Sequence, residues 1–134
     1  MGHFKWELIL IPCNAMYYVM ASYSDNWKTQ IRKGYLELCI LLMIKREKKV
    51  YGFDLLEKLS LAKLEVKEGT LYPLLNRMSA DGMLSSQWDT ENLKGHPRKF
   101  YSLTKDGQRF LNEMGEEFEL MVKIYEDLSK KGES

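Results

Sequence analysis

The stretch from Glu68 to Met78 constrains this chain most, because its apolar residues repeat with the period of a helix. Four large apolar residues recur at i, i+3, i+4 and i+7, which predicts one buried face: Leu71, Leu74, Leu75 and Met78. The opposite face is small and polar: Gly69, Pro73, Asn76 and Ala80, flanked by Thr70, Tyr72 and Arg77. A helix that enters a DNA groove needs such a face, since small residues allow close approach and Asn and Arg reach base edges or phosphates. An ordinary amphipathic surface helix has the same period, so this helix alone leaves both interpretations open.

Pro73 limits where this helix begins, because a proline inside a helix removes a backbone hydrogen bond. If Gly69 is the N-cap, Pro73 falls in the first turn, where the missing N–H costs little. We therefore expect the helix to begin at Gly69 or Thr70 and to run to about Asp81, with Gly82 as its C-cap.

Two further helices are predicted upstream. The pattern is helical from Trp27 to Ile44, and residues Tyr35–Ile44 are apolar nearly all round, which indicates a buried central helix. Val50–Gly52 is expected to turn the chain into a short second helix with its own apolar side: Phe53, Leu55, Leu56 and Leu59. A helix, a short helix and a third helix with an open face follow one another in a helix-turn-helix unit.

A β-hairpin is predicted after Gly82. Met83–Trp88 is a plausible strand, Asp89–His96 is rich in turn-forming residues, and Arg98–Leu103 alternates like a second strand. A basic hairpin beside the open-faced helix is suited to a phosphate backbone. A purely structural hairpin would show the same pattern.

Thr104 is a good N-cap for a long helix from Lys105 to about Lys130. Apolar residues follow a heptad pattern along it: Leu111, Met114, Phe118, Met121, Tyr125 and Leu128. The rest of this small domain is not expected to bury the whole heptad row. This favours a second copy of the chain, related by two-fold symmetry, as the partner that covers it. Packing entirely within the monomer is the alternative.

The N-terminal residues 1–24 fit none of these patterns. Leu8–Ile11 is strongly apolar, but the segment is too short and too polar to span a bilayer, and no convincing signal-peptide cleavage site follows it. Two interpretations remain: an extra packing arm, or an extension upstream of a natural start at Met16 or Met20. We expect this segment to be inessential to the core fold.

Composition narrows the function. A chain of 134 residues supports one domain. The net charge of +1 is unevenly spread, with six Lys/Arg against four Asp/Glu in residues 67–105 and four against eight in residues 106–134. Two cysteines suit a reducing cytosol and make neither a disulfide framework nor a metal site. No nucleophile–base pair, phosphate loop or metal cluster can be named, so catalysis is disfavoured and no cofactor is expected.

Several ordered motifs resemble the PadR family of winged helix-turn-helix transcriptional regulators. They are Gly69–Met78, Asp81–Leu84 and Gly95–Gly107, together with Arg32–Leu38 and Tyr51–Gly52. The likeness covers about Trp27 to Leu128. It implies a homodimeric repressor whose Gly69–Ala80 helix is the recognition helix, whose residues 83–103 form the wing, and whose C-terminal helix dimerises. Some members of the family bind phenolic acids or hydrophobic drugs, and others have no known ligand.

The resemblance also implies roles for single residues. From the recognition helix, Thr70, Tyr72, Pro73 and Asn76 would meet DNA, with Arg77 on a phosphate. From the wing, Arg98 and Lys99 would grip the backbone. His96 stands where the family usually has Arg, which makes one wing contact weaker or pH-dependent. The C-terminal helix has no Trp, which puts an aromatic drug-binding pore in doubt.

The predicted fold class is mainly α with a small β-hairpin: a winged helix-turn-helix plus a long C-terminal dimerisation helix. Residues 1–26 form the extension, 27–104 the DNA-binding domain and 105–130 the dimerisation helix. The predicted function is a cytoplasmic, homodimeric, sequence-specific repressor of an inverted-repeat operator, with a hydrophobic or phenolic small-molecule effector as a compatible addition. The alternative is a winged-helix protein–protein interaction module that does not bind DNA.

Overall fold

The computed structural model of the protein describes residues 13–91, 95 and 97–130. The chain divides into two compact units, residues 1–36 and 37–134. In chain order the elements are α1 (Cys13–Glu47), β1 (Val50–Tyr51), α2 (Gly52–Leu61), α3 (Glu68–Ala80), β2 (Leu84–Asp89), β3 (Arg98–Leu103) and α4 (Lys105–Lys130). The predicted fold class is confirmed, with one strand added. No helix among the described residues combines the length and the apolar character needed to cross a membrane.

In the first unit, the described residues 13–36 all belong to α1. This helix begins well before Trp27, where the pattern first predicted it. The reason is that the sequence from Cys13 to Lys33 contains neither Gly nor Pro, so nothing interrupts the helical backbone. Many large apolar side chains of this unit are exposed: Met16, Tyr18, Val19, Met20, Tyr23, Trp27, Ile31 and Tyr35.

The core of the second unit draws on every element from the end of α1 to the start of α4. It comprises Leu38, Ile40, Leu41, Ile44, Val50, Leu55, Leu59, Leu71, Leu75, Met78, Leu84, Tyr101 and Leu111. The prediction of a buried segment between Tyr35 and Ile44 is therefore confirmed for one face only, because Leu42 is 48% exposed.

Helix α2 buries Leu55 and Leu59, which lie one turn apart. The prediction that Phe53 belongs to the same apolar side is wrong, since Phe53 is 68% exposed. Two residues before Leu55, it lies about 200° around the helix and faces away from the core.

The sheet has three antiparallel strands in the order β1-β3-β2. The hairpin of β2 and β3 was predicted, but β1 was expected to be only a turn. Val50 of β1 pairs with Tyr101 of β3, and both side chains are buried. Leu84 at the start of β2 pairs with Leu103 at the end of β3, and Asp89 pairs with Arg98 at the other end of the hairpin.

The prediction of Gly82 as the C-cap of α3 is wrong by one residue, because the helix ends at Ala80 with Asp81 as its C-cap and Gly82 next. The φ of 81° at Gly82 is in the left-handed region that glycine adopts without strain. The Gly82 N–H donates to the Ser79 carbonyl at 3.1 Å, and the Met83 N–H donates to the Met78 carbonyl at 2.9 Å. These two bonds form a Schellman motif, which satisfies carbonyls at the helix end and turns the chain into β2.

Thr104 begins α4 as predicted, because its hydroxyl oxygen accepts the Gly107 N–H at 2.9 Å. The same hydroxyl donates to the Gly82 carbonyl at 2.6 Å, and the Thr104 N–H donates to the Met83 carbonyl at 3.2 Å. At Gly107 there is no space for a side chain, since a Cβ there would overlap the Met83 carbonyl oxygen. Together these contacts join the end of α3 to the start of α4.

We expect Gly107→Ala to destabilise the fold. The added methyl group must displace the backbone at Met83, which costs about 1–3 kcal/mol as overpacking. Thermal unfolding followed by circular dichroism should show a melting temperature lower by about 3–10 °C.

Gly115→Ala on the same helix is the matched control, because no atom lies within 4 Å of its added Cβ. Alanine favours the helix by up to about 1 kcal/mol over glycine, so this variant should be neutral or more stable. Equal melting temperatures for the two variants would contradict the close approach at Gly107.

Candidate nucleic-acid interface

Helix α3 presents the predicted open face. Leu71, Leu75 and Met78 are buried, whereas the predicted outward residues Gly69, Thr70, Pro73, Asn76, Arg77 and Ala80 are exposed. The Asn76 amide has no hydrogen-bond partner within the described part of the chain. Its donor and acceptor are therefore both available to a ligand.

The predicted place of Pro73 in the helix is wrong. Helix α3 begins at Glu68 with Lys67 as its N-cap in an extended conformation, and the N–H groups of Thr70 and Leu71 both donate to the Lys67 carbonyl at 2.9 Å. Pro73 is therefore the sixth helical residue, inside the helix rather than in its first turn. Its missing N–H leaves the carbonyl of Gly69 without a helical donor, and because Gly69 is exposed, water can take that place.

Tyr72 is half-buried beside the start of α2. A Cβ on Gly52 would lie 2.7 Å from Cε1 of the Tyr72 ring, which is too close for any other residue. Because Gly52 has no side chain, the Tyr72 ring can pack directly against the start of α2.

Arg77 forms an ion pair with Glu37 of α1. The Arg77 side chain is 59% exposed and that of Glu37 is 23% exposed, so the pair is only partly shielded from water and contributes little to stability. Within the chain, this arginine is partly neutralised by a carboxylate rather than open to a phosphate.

The cations of the wing lie against aromatic rings. The Arg98 guanidinium carbon is 5.6 Å from the centroid of the Tyr51 ring. Lys99 Nζ is 5.7 Å from the Trp88 centroid and 5.8 Å from the Tyr101 centroid. These distances permit cation–π attraction, which orients a cation without cancelling its charge. His96 lies outside the described residues.

Tyr51 ties β1 to the far end of β2. Its hydroxyl donates to Asp89 Oδ2 at 2.6 Å, and this hydrogen bond raises the pKa of Tyr51. The pKa of Tyr101 is also raised, chiefly by burial and secondarily by the nearby Tyr72. Both hydroxyl groups therefore stay protonated at neutral pH.

A groove of about 510 Å³ lies between α3 and the wing. Its walls are Tyr51, Gly52, Phe53, Tyr72, Asn76, Trp88, Pro97, Arg98, Lys99 and Tyr101. Four predicted DNA-binding residues thus line one concave surface: Tyr72, Asn76, Arg98 and Lys99. Thr70, Pro73 and Arg77 are not among the groove walls.

Sequence reasoning missed the aromatic walls of this groove. The sequence pattern places Phe53 on the apolar side of the second helix and Trp88 at the end of a strand. Neither pattern indicates a groove. The pairing of β1 with β3, which places Tyr51 opposite Phe100 and Val50 opposite Tyr101, is a tertiary contact that no local pattern reveals. The high aromatic content of Tyr51–Phe53 was the one signal present.

The predicted dimerisation residues divide into three groups along α4. Leu111 is buried within the chain, so its burial requires no partner. Met114 and Phe118 are half-buried. Met121, Tyr125 and Leu128 are exposed, and Leu120, Val122 and Ile124 widen the exposed apolar surface.

Known proteins match this chain closely. The family model described as the transcriptional regulator PadR-like family matches residues 40–113. The X-ray structure of a PadR-like transcription factor from Bacteroides fragilis is 43% identical, with 78% of this chain and 99% of that chain covered and a TM-score of 0.67. The crystal structure of a PadR family transcriptional regulator from Eggerthella lenta is 28% identical, with 87% and 98% covered and a TM-score of 0.71. A transcriptional regulator from Mycobacterium tuberculosis is 37% identical over 67 residues, which are 50% of this chain and 61% of that protein.

These matches confirm the resemblance that the sequence motifs indicated. The matched residues 40–113 run from the core of α1 through α3 and the wing into α4. Regulators of this family bind DNA and are not enzymes. The chain belongs to the PadR-like family of transcriptional regulators.

Proposed function

We propose that the protein is a cytoplasmic repressor that binds an inverted-repeat operator as a homodimer. The observation that carries this proposal is the groove that joins the exposed face of α3 to the cations of the wing. A helix in the major groove and a hairpin on the flanking backbone together read base edges and anchor the protein. The proposed DNA contacts are those of the sequence prediction, with Arg77 reaching a phosphate only when it leaves Glu37.

The exposed apolar row on α4 supports the dimer. Met121, Tyr125 and Leu128 follow the heptad spacing and leave a large apolar surface in water, which usually marks an interface. A two-fold copy of the same helix would cover the row and would fix the distance between the two recognition helices.

Control by a hydrophobic or phenolic effector rests on the family resemblance. The apolar row on α4 would supply side chains to a ligand at the dimer interface. Because α4 contains no Trp, we propose no aromatic stacking site on this helix.

The experiment that tests the whole proposal is capture of fragmented genomic DNA by the purified protein, followed by sequencing and footprinting. We expect one enriched sequence with two protected half-sites in inverted orientation. Failure to retain duplex DNA at low salt would leave the protein–protein module as the better function.

The wing can be tested on the captured operator. Arg98→Ala should weaken binding to specific and nonspecific duplexes alike, by about tenfold. The slope of log affinity against log salt should fall by about 0.9 for the one phosphate contact removed. Arg109→Ala is the matched control, because Arg109 is an exposed arginine of α4 that pairs with Asp106 and does not line the groove. An unchanged slope in Arg98→Ala would remove the wing from the interface.

The contribution of Asn76 to base specificity can be tested by substitution. Asn76→Ala should lose about 1–3 kcal/mol of discrimination at one base position per half-site, provided that the amide makes a bidentate contact. Competition assays with every single-base operator variant measure this loss, and Asn112→Ala on α4 removes the same group outside the groove. If all operator variants weaken in parallel, Asn76 contacts only the backbone.

The dimer can be tested at Tyr125, which is 71% exposed within the chain. A charge at this position costs nothing in the monomer but would be buried at a two-fold interface. We expect Tyr125→Asp to sediment as a monomer and to bind the operator much more weakly, while Lys123→Asp, on the opposite face of the same turn, remains a dimer. A dimeric Tyr125→Asp would refute this interface.

A further inference from the structure

Two exposed aromatic side chains flank the groove from different elements. Phe53 projects from the first turn of α2 with 68% exposure, and Trp88 projects from β2 with 59% exposure. Both line the groove between the recognition helix and the wing. The folded chain gains little from large rings that remain in water, so their shared position indicates a ligand with an apolar surface.

The charge of the groove restricts that ligand further. Arg98 and Lys99 supply two cations to its walls, Asn76 supplies an amide, and none of the ten described wall residues is acidic. The neighbouring carboxylate of Asp89 accepts the Tyr51 hydroxyl. The ligand must therefore offer negative charge and apolar faces side by side. A sugar–phosphate strand has this pattern, because phosphates alternate along it with the apolar C–H faces of deoxyribose.

Contacts within the fold hold several of the wall residues near one another. Gly52 allows Tyr72 to pack against the start of α2, beside Phe53. Lys99 Nζ is 5.7 Å from the Trp88 centroid and 5.8 Å from the Tyr101 centroid. Lys99 and the exposed indole of Trp88 thus lie side by side on the groove wall. A phosphate bound to Lys99 would place the adjacent sugar against Trp88.

We propose that one strand of the operator duplex lies in this groove, with its phosphates on Arg98 and Lys99 and its deoxyribose faces on Phe53 and Trp88. This inference rests on the proposed function and adds two DNA-contacting residues to it. It also divides the affinity into two parts. The cations release counterions and give a salt-dependent part, whereas the aromatic contacts release none and give a part that salt does not change.

Alanine substitutions distinguish the salt-dependent part of the affinity from the part that salt does not change. Phe53→Ala and Trp88→Ala should each lower operator affinity by about 5- to 30-fold at every salt concentration, with an unchanged log–log slope. Arg98→Ala should change the slope. Phe53→Leu should recover part of the loss, because it restores apolar area, and circular dichroism checks that each variant is folded.

Leu61→Ala is the control for Phe53. Leu61 is at the other end of α2 and is 76% exposed, but it does not line the groove. We expect its affinity and slope to equal those of the wild type. If Phe53→Ala and Trp88→Ala also bind like the wild type, this inference fails while the proposed function stands. If the wild type itself binds no duplex, both fail.

Fluorescence tests the contact at Trp88 directly. The chain has three Trp, so the double substitution Trp6→Phe and Trp27→Phe leaves Trp88 as the only tryptophan reporter. Operator duplex should reduce the quenching of this fluorescence by acrylamide at least twofold. Quenching that is unchanged at saturating duplex would overturn the proposal, as would protection by free benzoate but not by duplex, because the groove would then be a small-molecule site.

Discussion

The backbone junction at Met83 holds the binding face together. The Met83 carbonyl accepts the Thr104 N–H at 3.2 Å and leaves no space for a side chain at residue 107. Because Gly82 ends α3 one residue earlier and Thr104 caps α4, the two ends of the wing are fixed to the ends of two helices. A hairpin attached at both ends in this way keeps its direction relative to α3. The groove depends on that direction.

The cations predicted to contact DNA have two different kinds of neighbour in the fold. Arg77 on α3 is paired with the carboxylate of Glu37, which cancels much of its field. Arg98 and Lys99 on the wing lie against aromatic rings instead, and a ring holds a cation while leaving its charge outward. Of the cations predicted to contact DNA, those of the wing therefore keep more of their charge open than Arg77 does. In the proposed function, α3 would contribute shape and the amide of Asn76, and the wing would contribute charge. This is the division expected when the backbone is held by charge and bases are read by hydrogen bonds.

The elements whose bounds are predicted well from the sequence are those in which the apolar pattern extends over several periods. Helices α3 and α4 and the strand Arg98–Leu103 lie within one or two residues of their predicted bounds, because several periods of apolar residues define each of them. Strand β1 was missed because two residues have no period, and it exists only through pairing with β3. Phe53 was misplaced because apolar character does not reveal which face of a short helix is buried. The partner of Arg77 lies forty positions earlier, and such a tertiary contact has no local signal.

The charge balance of the whole chain explains why the aromatic walls matter. The net charge is only +1, since the acidic residues of α4 offset the basic ones elsewhere. Long-range attraction to a polyanion is therefore weak, and nonspecific binding through counterion release alone would be poor at physiological salt. A protein of this kind gains affinity from short-range contacts that require close fit, such as those of Phe53 and Trp88. Deoxyribose is the same at every base pair, so these contacts add affinity without reading the sequence. Discrimination between sites is then left to base contacts such as the one proposed for Asn76.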